Sequence, residues 1–375
     1  MDNPLKKIFQ SLSFGGSSNS SSALGIDVGS SAIKVVEIKK KEGRAVLETY
    51  GSVALGLYAD QEIGRLTNLP PEKIVEALKE VLKQSAVSTS SSALAIPIQS
   101  SLVFTIEIPS QVKEGDVPAV VQTESRKFIP VPLTEVSLDY FMLPKKASSF
   151  EEENNPDVAH LPGEKNEVLA VAIQNDAIEK YRSIVSGAGL SASFFEVEIF
   201  SSIRSNFEHE LSLVLLIDFG ASRTKLSLVE FGMVKSYHSI NRGGSDITES
   251  ISRSLSISFA EAEEMKKEYG LYENPKEQSL AEIIKVHLDY IFSETNSVLL
   301  SYEKKYNQTI SKVILTGGGA LLKGLQEVAQ NNFRADVELG KPFAKVSSPE
   351  FLHKVLDKMG PEFAVAIGLA LRKLQ

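Results

Sequence analysis

Residues 24–38 read Leu-Gly-Ile-Asp-Val-Gly-Ser-Ser-Ala-Ile-Lys-Val-Val-Glu-Ile, and residues 215–229 read Leu-Leu-Ile-Asp-Phe-Gly-Ala-Ser-Arg-Thr-Lys-Leu-Ser-Leu-Val. The two stretches align without a gap, and Leu, Ile, Asp, Gly, Ser and Lys coincide. An internal repeat of this kind marks a duplicated structural unit. Each copy carries a Gly-containing turn between two β-rich segments, which is typical of a strand, a tight turn and a return strand. The sequence therefore predicts an α/β protein with two lobes of the same fold.

The repeat places reactive side chains at equivalent points of the two hairpins. Asp27 and Asp218 end a buried strand, and the glycine two positions later lets the turn aim backbone N–H groups at an anion. Neighbouring hydroxyl groups would donate hydrogen bonds to phosphate oxygens. The predicted phosphate-binding residues are Gly29, Ser30, Ser31 and Lys34 in the first copy and Gly220, Ala221, Ser222, Arg223 and Thr224 in the second. Two facing hairpins would grip one polyphosphate, while Asp27 and Asp218 hold Mg²⁺ through water, because this ion loses its water reluctantly.

A glycine run follows the second repeat. Residues 312–320 form an apolar segment that ends in Gly317, Gly318, Gly319 and Ala320. Backbone without side chains can approach a bulky, flat group closely, so these residues are predicted to contact an adenosine. The alternative is a flexible turn before a helix that starts at Leu321.

Two helical segments supply further candidates. Gly243 and Gly244 precede Ser-Asp-Ile-Thr, a helix N-terminus whose amides would face the phosphates of a ligand, although ordinary capping explains the pattern equally well. Glu263 and Lys266 are three residues apart and therefore share a helix face. They are predicted to hold a ribose and an adenine edge, with a surface ion pair as the alternative.

Composition excludes several classes of function. The 375 residues suffice for two or three domains at roughly 150 residues each. A net charge of −8 argues against a mainly electrostatic nucleic-acid binder. Cysteine is absent and the five histidines lack zinc-ligand spacing, which excludes disulfides and thiolate metal sites. No apolar run approaches the roughly 18 residues of a membrane span, so we expect a cytoplasmic protein with at most an indirect link to membranes.

An inserted α/β unit is predicted between the repeats, over residues 91–190. Its expected strands cover 93–98, 102–108, 136–142 and 167–173, and its expected helices cover 115–128 and 176–188. Residues 144–166 form an acidic loop that is expected to be mobile.

At the N-terminus, residues 4–14 form a short leader with apolar residues at helical spacing. We expect this leader to contact a membrane surface or its own domain. A Ser/Gly-rich linker follows to residue 22.

In this order the motifs resemble those of the actin-like ATPase superfamily, whose members share a duplicated ribonuclease-H-like fold. Residues 24–34 resemble its phosphate-1 hairpin and residues 217–224 its phosphate-2 hairpin. Residues 195–205 and 362–371 resemble the two connecting helices, and residues 316–320 the adenosine motif. Within the superfamily, Gly-Ile-Asp-Val-Gly-Ser-Ser-Ala-Ile-Lys-Val-Val-Glu, Phe-Glu-Val-Glu-Ile-Phe-Ser-Ser and Arg-Gly-Gly-Ser-Asp-Ile-Thr are similar to the PilM family of type IV pilus assembly, which is related to FtsA.

The resemblance implies a four-part architecture. Subdomain 1A would cover 23–90 and 191–212, the inserted 1C 91–190, 2A 213–245 and 310–360, and 2B 246–309, with a leader over 1–22 and a connecting helix over 361–375 that returns toward 1A. It also implies ATP and Mg²⁺ in the cleft and the short N-terminal cytoplasmic peptide of PilN between 1A and 1C. Through that peptide the protein would be recruited to the inner-membrane pilus assembly platform. Self-association stays open.

For two side chains, the role in the family cannot be carried over directly to this sequence. Glu198 matches the acid of the first connecting helix that approaches the metal or its water, which makes it the candidate catalytic and third metal-binding residue. Glu196, two positions earlier, leaves that assignment open. Arg223 replaces a commonly small residue, and would either contact phosphate or face solvent.

Three functions compete at this point. The first is a nucleotide-dependent scaffold with slow or incidental ATP turnover. The second is a phosphotransferase of the sugar-kinase branch, for which no base is evident beyond Glu196 and Glu198. The third is an FtsA-like division filament protein, which is disfavoured because the chain ends at Gln375 without an amphipathic tail.

Overall fold

The computed structural model describes residues 22–143, 165–208, 212–272 and 279–374. The predicted leader and nearly all of the predicted acidic loop lie outside these residues. Within them, no helix has the length and apolar character needed to cross a membrane.

The described chain alternates strands and helices along its length. The strands are β1 (Ser22–Val28), β2 (Ala32–Lys41), β3 (Arg44–Ala54), β4 (Ser91–Ile96), β5 (Ser101–Pro109), β6 (Val136–Met142), β7 (Lys165–Gln174), β8 (Ser191–Val197), β9 (Val214–Phe219), β10 (Thr224–Glu230), β11 (Met233–Ile240), β12 (Lys312–Thr316) and β13 (Asp336–Leu339). The helices are α1 (Pro71–Gln84), α2 (Val117–Ser125), α3 (Asn175–Gly187), α4 (Glu198–Asn206), α5 (Gly244–Leu255), α6 (Phe259–Glu268), α7 (Leu280–Tyr306), α8 (Leu325–Asn332), α9 (Glu350–Met359) and α10 (Ala364–Leu374).

Two five-stranded sheets have the same topology. The first has the order β3-β2-β1-β4-β8 and the second the order β11-β10-β9-β12-β13. In each sheet the first three strands are antiparallel and the last two run parallel to the central strand. The repeated hairpins are β1–β2 and β9–β10, so the sequence repeat marks the structural duplication. This confirms the predicted two-lobed, ribonuclease-H-like architecture of the actin-like proteins.

The apolar core of the first lobe continues onto one face of the second sheet, through Val214, Leu216 and Ile314, and the other face of that sheet carries the core of the second lobe. In the first lobe, α1 and α3 cover one face of the sheet, while α4 and α10 pack together against the other, with α10 lying on β1, β2 and β4. In the second lobe, α5, α6 and α7 bury apolar residues against β9 and β10. The C-terminal helix therefore belongs to the first lobe, although it follows the last strand of the second.

The insertion is smaller than the sequence predicts. Residues of β4 pair in parallel with β1 and β8, and α3 packs on α1, so both ends of the 91–190 range belong to the first lobe. The separate unit consists of the sheet β5-β7-β6 and α2, which share an apolar core. The predicted boundary was wrong because the serine-rich stretch before β4 resembles a linker, whereas β4 itself is buried in the middle of a sheet.

The helix expected at Leu321 also begins later. Residues 318–321 form a short 3-10 turn, and α8 starts at Leu325 after Gly324, which has a left-handed backbone. The glycine run is thus separated from the helix by a tight turn and is held against β9.

Candidate functional site

The two repeated hairpins meet across the space between the lobes. Ser30 Oγ donates to Ser222 Oγ at 3.3 Å. In both turns the glycine amide donates to the carbonyl three residues later, at 3.0 Å for Gly29 and 2.9 Å for Gly220. The turn-tip amides next to these glycines form no backbone hydrogen bond in the described part of the chain. The facing arrangement predicted from the repeat is therefore present, with amides available to an anion.

A cleft of about 750 Å³ opens between the lobes at these turns. Most predicted site residues line it: Asp27, Gly29, Ser30, Ser31, Lys34, Glu198, Asp218, Gly220, Ala221, Ser222, Arg223, Gly243, Gly244, Glu263, Lys266, Gly317, Gly318 and Gly319. A volume of this size lies within the range of small-molecule and cofactor sites.

Thr224 and Ala320 do not line the cleft. Thr224 is fully buried and its hydroxyl donates to the carbonyl of Arg242 at 2.9 Å. Side chains of a strand alternate between faces, so Thr224 points to the same side as Leu226, away from Lys225. Ala320 is packed in the core of the second lobe. The structure therefore does not bring these two predicted residues to the cleft surface with the others.

Lys225 connects the two lobes deep in the cleft. Its Nζ lies 2.7 Å from Glu198 Oε2 and 3.1 Å from Asp218 Oδ2. Burial alone would lower the pKa of Lys225, but the carboxylates of Asp218 and Glu198 raise it. The sequence analysis did not select Lys225 as a site residue, although its match to Lys34 in the repeat was the available signal.

Asp27 and Lys34 are register partners in the first hairpin, yet they form no ion pair. Burial raises the pKa of Asp27 to about 6 against the opposing charge of Lys34, and the charges of Glu198 and Asp218 add to the rise. Among the described residues, no carboxylate lies within ion-pair distance of the Lys34 ammonium, which lines the cleft. Lys34 is therefore available to a phosphate.

Glu196 is a structural residue. Its side chain is fully buried on the opposite side of β8 from Val197 and accepts from both guanidinium nitrogens of Arg204, at 2.7 and 2.8 Å. Arg372 of α10 adds a third contact at 2.7 Å. Burial would raise the pKa of Glu196, but the two arginines lower it to about 2. The ambiguity between the two glutamates is thus resolved, and Glu198 is the one that lines the cleft.

The N-terminus of α5 is held by the second hairpin. The amides of Gly244 and Ser245 donate to the carbonyls of Gly220 and Ala221 at 3.0 and 2.9 Å. A Cβ at Gly243 would lie 2.5 Å from the carbonyl oxygen of Ala221, so a larger residue would break this contact. The first amides of the helix therefore position the turn and are not directed at a ligand.

Gly317 brings the glycine run against the second hairpin. Its φ of 81° is in the left-handed region, and a Cβ there would lie 2.3 Å from Asp218 Oδ1. Its amide donates to the carbonyl of Pro361 at 2.9 Å. The glycine run thus forms a wall of the cleft beside Asp218. The predicted contact with adenosine requires this position.

Glu263 and Lys266 are bonded to each other and to α5. Lys266 Nζ lies 2.7 Å from Glu263 Oε2, 2.7 Å from Thr248 Oγ1 and 3.0 Å from the carbonyl of Gly244. Burial would raise the pKa of Glu263, but Lys266 lowers it. The pair is therefore a largely buried part of the cleft wall, which excludes the interpretation as a surface ion pair.

A loop of the first lobe reaches the second lobe beside this wall. Glu62 Oε1 accepts from the amide of Ala260 at 3.0 Å, at the start of α6. Arg65 forms an ion pair with Glu249 at 3.2 Å and lies over the ring of Phe259 at 4.3 Å. We call these contacts the Arg65 clasp; nothing in the sequence pattern indicated them.

Arg223 stands at the edge of the cleft. Its guanidinium donates to the side-chain oxygen of Asn241, and the residue is half-buried. Arg223 thus lines the cleft while it is bonded to Asn241, just after β11, and its contact with phosphate stays a prediction.

The three predicted metal-binding acids do not form a metal site by themselves. Within the described ranges, no group of three or more His, Cys, Asp or Glu side chains is arranged to hold a metal ion. The Lys225 ammonium lies between Glu198 and Asp218 and contacts one oxygen of each carboxylate. Asp27 has no ion-pair partner among the described residues, and is the acid that fits an ion arriving with a nucleotide.

A second cavity of about 610 Å³ lies between the insertion and the second lobe. It is lined by residues of β5, β7, β11 and α7, including Phe104, Tyr237 and Tyr306. This cavity is separate from the predicted peptide groove, which was placed between the first lobe and the insertion.

The family model of the type IV pilus assembly protein PilM matches residues 25–374. The chain belongs to the PilM family. A solved PilM-PilN type IV pilus biogenesis complex is similar in structure, with a TM-score of 0.78, 25% sequence identity, and coverage of 94% of this chain and 98% of the other. The match to this family and the actin-like fold agree with the resemblance seen in the sequence.

More distant relatives share the fold. The cell division protein FtsA of Staphylococcus epidermidis is 25% identical over 361 residues, covering 87% of this chain and 76% of FtsA. The ethanolamine utilization protein EutJ of Carboxydothermus hydrogenoformans has a TM-score of 0.53 at 14% identity, covering 98% of this chain and 94% of EutJ. The second likeness concerns the fold alone. This member of the PilM family is thus an actin-like pilus assembly protein.

Proposed function

We propose that this protein is a cytoplasmic scaffold of type IV pilus assembly that binds ATP between its lobes and the N-terminal cytoplasmic peptide of PilN between the first lobe and the insertion. Nucleotide sets the angle between the lobes, and the lobes set the shape of the peptide groove. Through PilN the protein is recruited to the inner face of the inner membrane and its pilus assembly platform.

The observation that carries ATP binding is the direct contact between the two hairpin turns. Turn-tip residues of both lobes line one cleft, and so does Lys34, whose ammonium has no ion-pair partner in the described chain. Backbone amides together with such a cation suit the oxygens of a polyphosphate. The glycine run lines the wall of the same cleft beside Asp218, where we place the base.

Mg²⁺ is proposed to enter with ATP. We assign Asp27 as the protein residue that binds the ion, through a water molecule. Its carboxylate lines the cleft and has no ion-pair partner in the described chain. When bound, the ion would neutralise phosphate charge beside Asp27.

Binding of the PilN peptide is supported by the similar PilM-PilN complex. A physical connection between the cleft and the insertion supports the coupling. The chain leaves β4 for the insertion at Pro97 and Ile98, and the Ile98 amide donates to Glu198 Oε1 at 3.0 Å. A movement of the insertion would therefore reach a residue that lines the cleft.

The nucleotide site is tested by titration calorimetry with Mg-ATP. Asp27→Ala should weaken binding by about tenfold or more, since it removes the carboxylate proposed to contact Mg²⁺ through water. Asp289→Ala, on the exposed face of α7, is the matched control and should bind as the wild type does. Wild-type affinity in Asp27→Ala would contradict the proposed magnesium contact.

The coupling is tested with a fluorescent PilN peptide. Its affinity should change when Mg-ATP is added, and the affinity for Mg-ATP should change by the same factor when peptide is present, because linkage is reciprocal. Hydrogen exchange should show peptide protection in the first lobe and in the insertion. Protection confined to the second cavity would contradict the proposed groove, and unchanged affinities would contradict the coupling.

A further inference from the structure

The two lysines of the repeat have different surroundings. Lys34 faces the cleft without an ion-pair partner in the described chain, whereas Lys225 contacts two carboxylates. The carboxylates come from different lobes, because Asp218 belongs to β9 and Glu198 to α4. The two hairpins therefore carry a lysine at the same position, but one lysine is open to a ligand and the other is bonded to carboxylates of the protein.

Both oxygens of Glu198 are occupied. Oε2 accepts from Lys225 Nζ at 2.7 Å, and Oε1 accepts from the amide of Ile98 at 3.0 Å. The side chains of Glu198 and Lys225 are only 11% and 12% exposed, so water competes weakly for these contacts. In this arrangement one donor already contacts each oxygen, which limits the capacity of the carboxylate to contact a metal-bound or attacking water.

ATP hydrolysis would require such capacity. A water oxygen forms a bond to the γ-phosphorus, the bond from that phosphorus to the bridging oxygen of ADP breaks, and the proton of the water passes to an acceptor. Positioned acid–base groups typically contribute 10²–10⁴-fold to such steps. Glu198 is the acid of the first connecting helix that lines the cleft, and it is occupied by Lys225.

We propose that Lys225 is a positioning residue that acts as an internal counter-ion for Glu198 and Asp218, so that the protein holds ATP without hydrolysing it rapidly. This inference rests on the proposed ATP site. The ammonium lies between the two carboxylates, where a metal ion would otherwise bind. It also keeps Glu198 from contacting an attacking water. The cleft then serves as a stable nucleotide-dependent joint between the lobes.

The test uses the full chain with Lys225→Met, which keeps the length of the side chain and removes its charge. Single-turnover hydrolysis of ATP should become about tenfold faster or more, because Glu198 is released. The double variant Lys225→Met with Glu198→Gln should return toward the wild-type rate. Lys235→Met is the matched control, since it removes another largely buried lysine of the same sheet, paired with Glu230 at 3.7 Å, and should hydrolyse ATP as the wild type does.

A second readout does not depend on hydrolysis. Titrations of Mn²⁺ into wild-type protein without nucleotide, followed by electron paramagnetic resonance, should show no saturable binding, because the ammonium lies between the two carboxylates and contacts an oxygen of each. Saturable binding of Mn²⁺ to the wild type would overturn the inference even if Lys225→Met failed to fold. In a folded Lys225→Met protein, saturable Mn²⁺ binding is expected.

The outcomes separate the inference from the proposed function. If Lys225→Met is folded and binds ATP but hydrolyses it no faster than the wild type, the role of Lys225 is wrong while the ATP site stands. If the wild type does not bind ATP, the proposed function fails and the inference fails with it.

Discussion

Replacing Glu196 by Gln separates the two neighbouring glutamates of the β8–α4 junction. Glu196 is fully buried, with Arg204 in a two-pronged contact and Arg372 of the C-terminal helix on the same carboxylate. Its neutral replacement keeps the shape of the side chain but leaves two buried guanidinium groups without their counter-charge. We expect a large loss of stability with little effect on the cleft.

Two estimates give the size of the loss. A pKa lowered from the ordinary 4.5 to about 2 corresponds to about 3 kcal/mol of stability at neutral pH. Breaking a buried ion pair by removing one partner costs about 3–5 kcal/mol in other proteins. At about 2–4 °C per kcal/mol for domains of this size, a loss of about 3–5 kcal/mol should lower the melting temperature by roughly 6–20 °C.

The assay is calorimetric melting at neutral pH together with ATP titration. Glu37→Gln is the matched control, because Glu37 is equally buried but accepts only from the amide and hydroxyl of Ser88, at 2.8 and 2.6 Å. Its loss should cost less, about 1–2 kcal/mol. ATP affinity of the Glu196→Gln protein should match that of the wild type below its melting temperature.

The pH dependence provides a further check. Because the pKa of Glu196 is lowered in the folded protein, its contribution is complete above pH 4.5 and is lost as the pH falls toward about 2. The stability difference between wild type and Glu196→Gln should therefore shrink in that window. The structural role would be refuted if the free energy of unfolding of Glu196→Gln lay within about 1 kcal/mol of the wild-type value. It would also be refuted if the variant folded but did not bind ATP.

Three further predictions concern the cleft. Lys34→Met should weaken ATP binding by about 10- to 100-fold in calorimetry, since a charged hydrogen bond to phosphate is lost; unchanged affinity would show that Lys34 does not contact the ligand. Because burial raises the pKa of Asp27 from 3.8 to about 6, Mg-ATP affinity should rise between pH 5 and 7, and the apoprotein should lose stability between about pH 4 and 6, where the folded protein keeps a proton that the unfolded chain has released. Asp27→Asn should abolish both changes, and a persisting pH step would assign them to another group. Arg65→Ala should release a fluorescent ATP analogue about 5–30 times faster in stopped flow, because contacts worth about 1–2 kcal/mol across the lobes are lost; an unchanged rate would mean that the clasp does not retain nucleotide.

Local sequence was sufficient for the duplicated architecture. A strand that ends in Asp, a turn with Gly two positions later and a return strand form a hairpin through contacts between close neighbours in the chain. Such contacts depend on short-range geometry, so a match between two segments predicts a match between two structures. The facing turns, and the cleft residues that the two hairpins carry, followed from this one pattern.

Alternation along a strand and the repeat together separate Thr224 from Lys225. Neighbouring strand residues face opposite sides, so the side chains of Thr224 and Lys225 point away from each other. The match between Lys34 and Lys225 favoured the lysine as the cleft residue, and Thr224 lies in the interior.

The sequence by itself determined the duplication, the two hairpins and the location of the cleft, because each depends on residues close together in the chain. Only the tertiary structure decided the roles of the two glutamates and the limits of the insertion. Glu196 is defined by Arg372, near the other end of the chain, and Glu198 by Lys225 of the opposite lobe. The place of β4 was decided by its pairing with β1 and β8. The local sequence around a charged residue or a strand does not indicate which distant residue or strand it will contact, because that partner is fixed by packing of the whole chain.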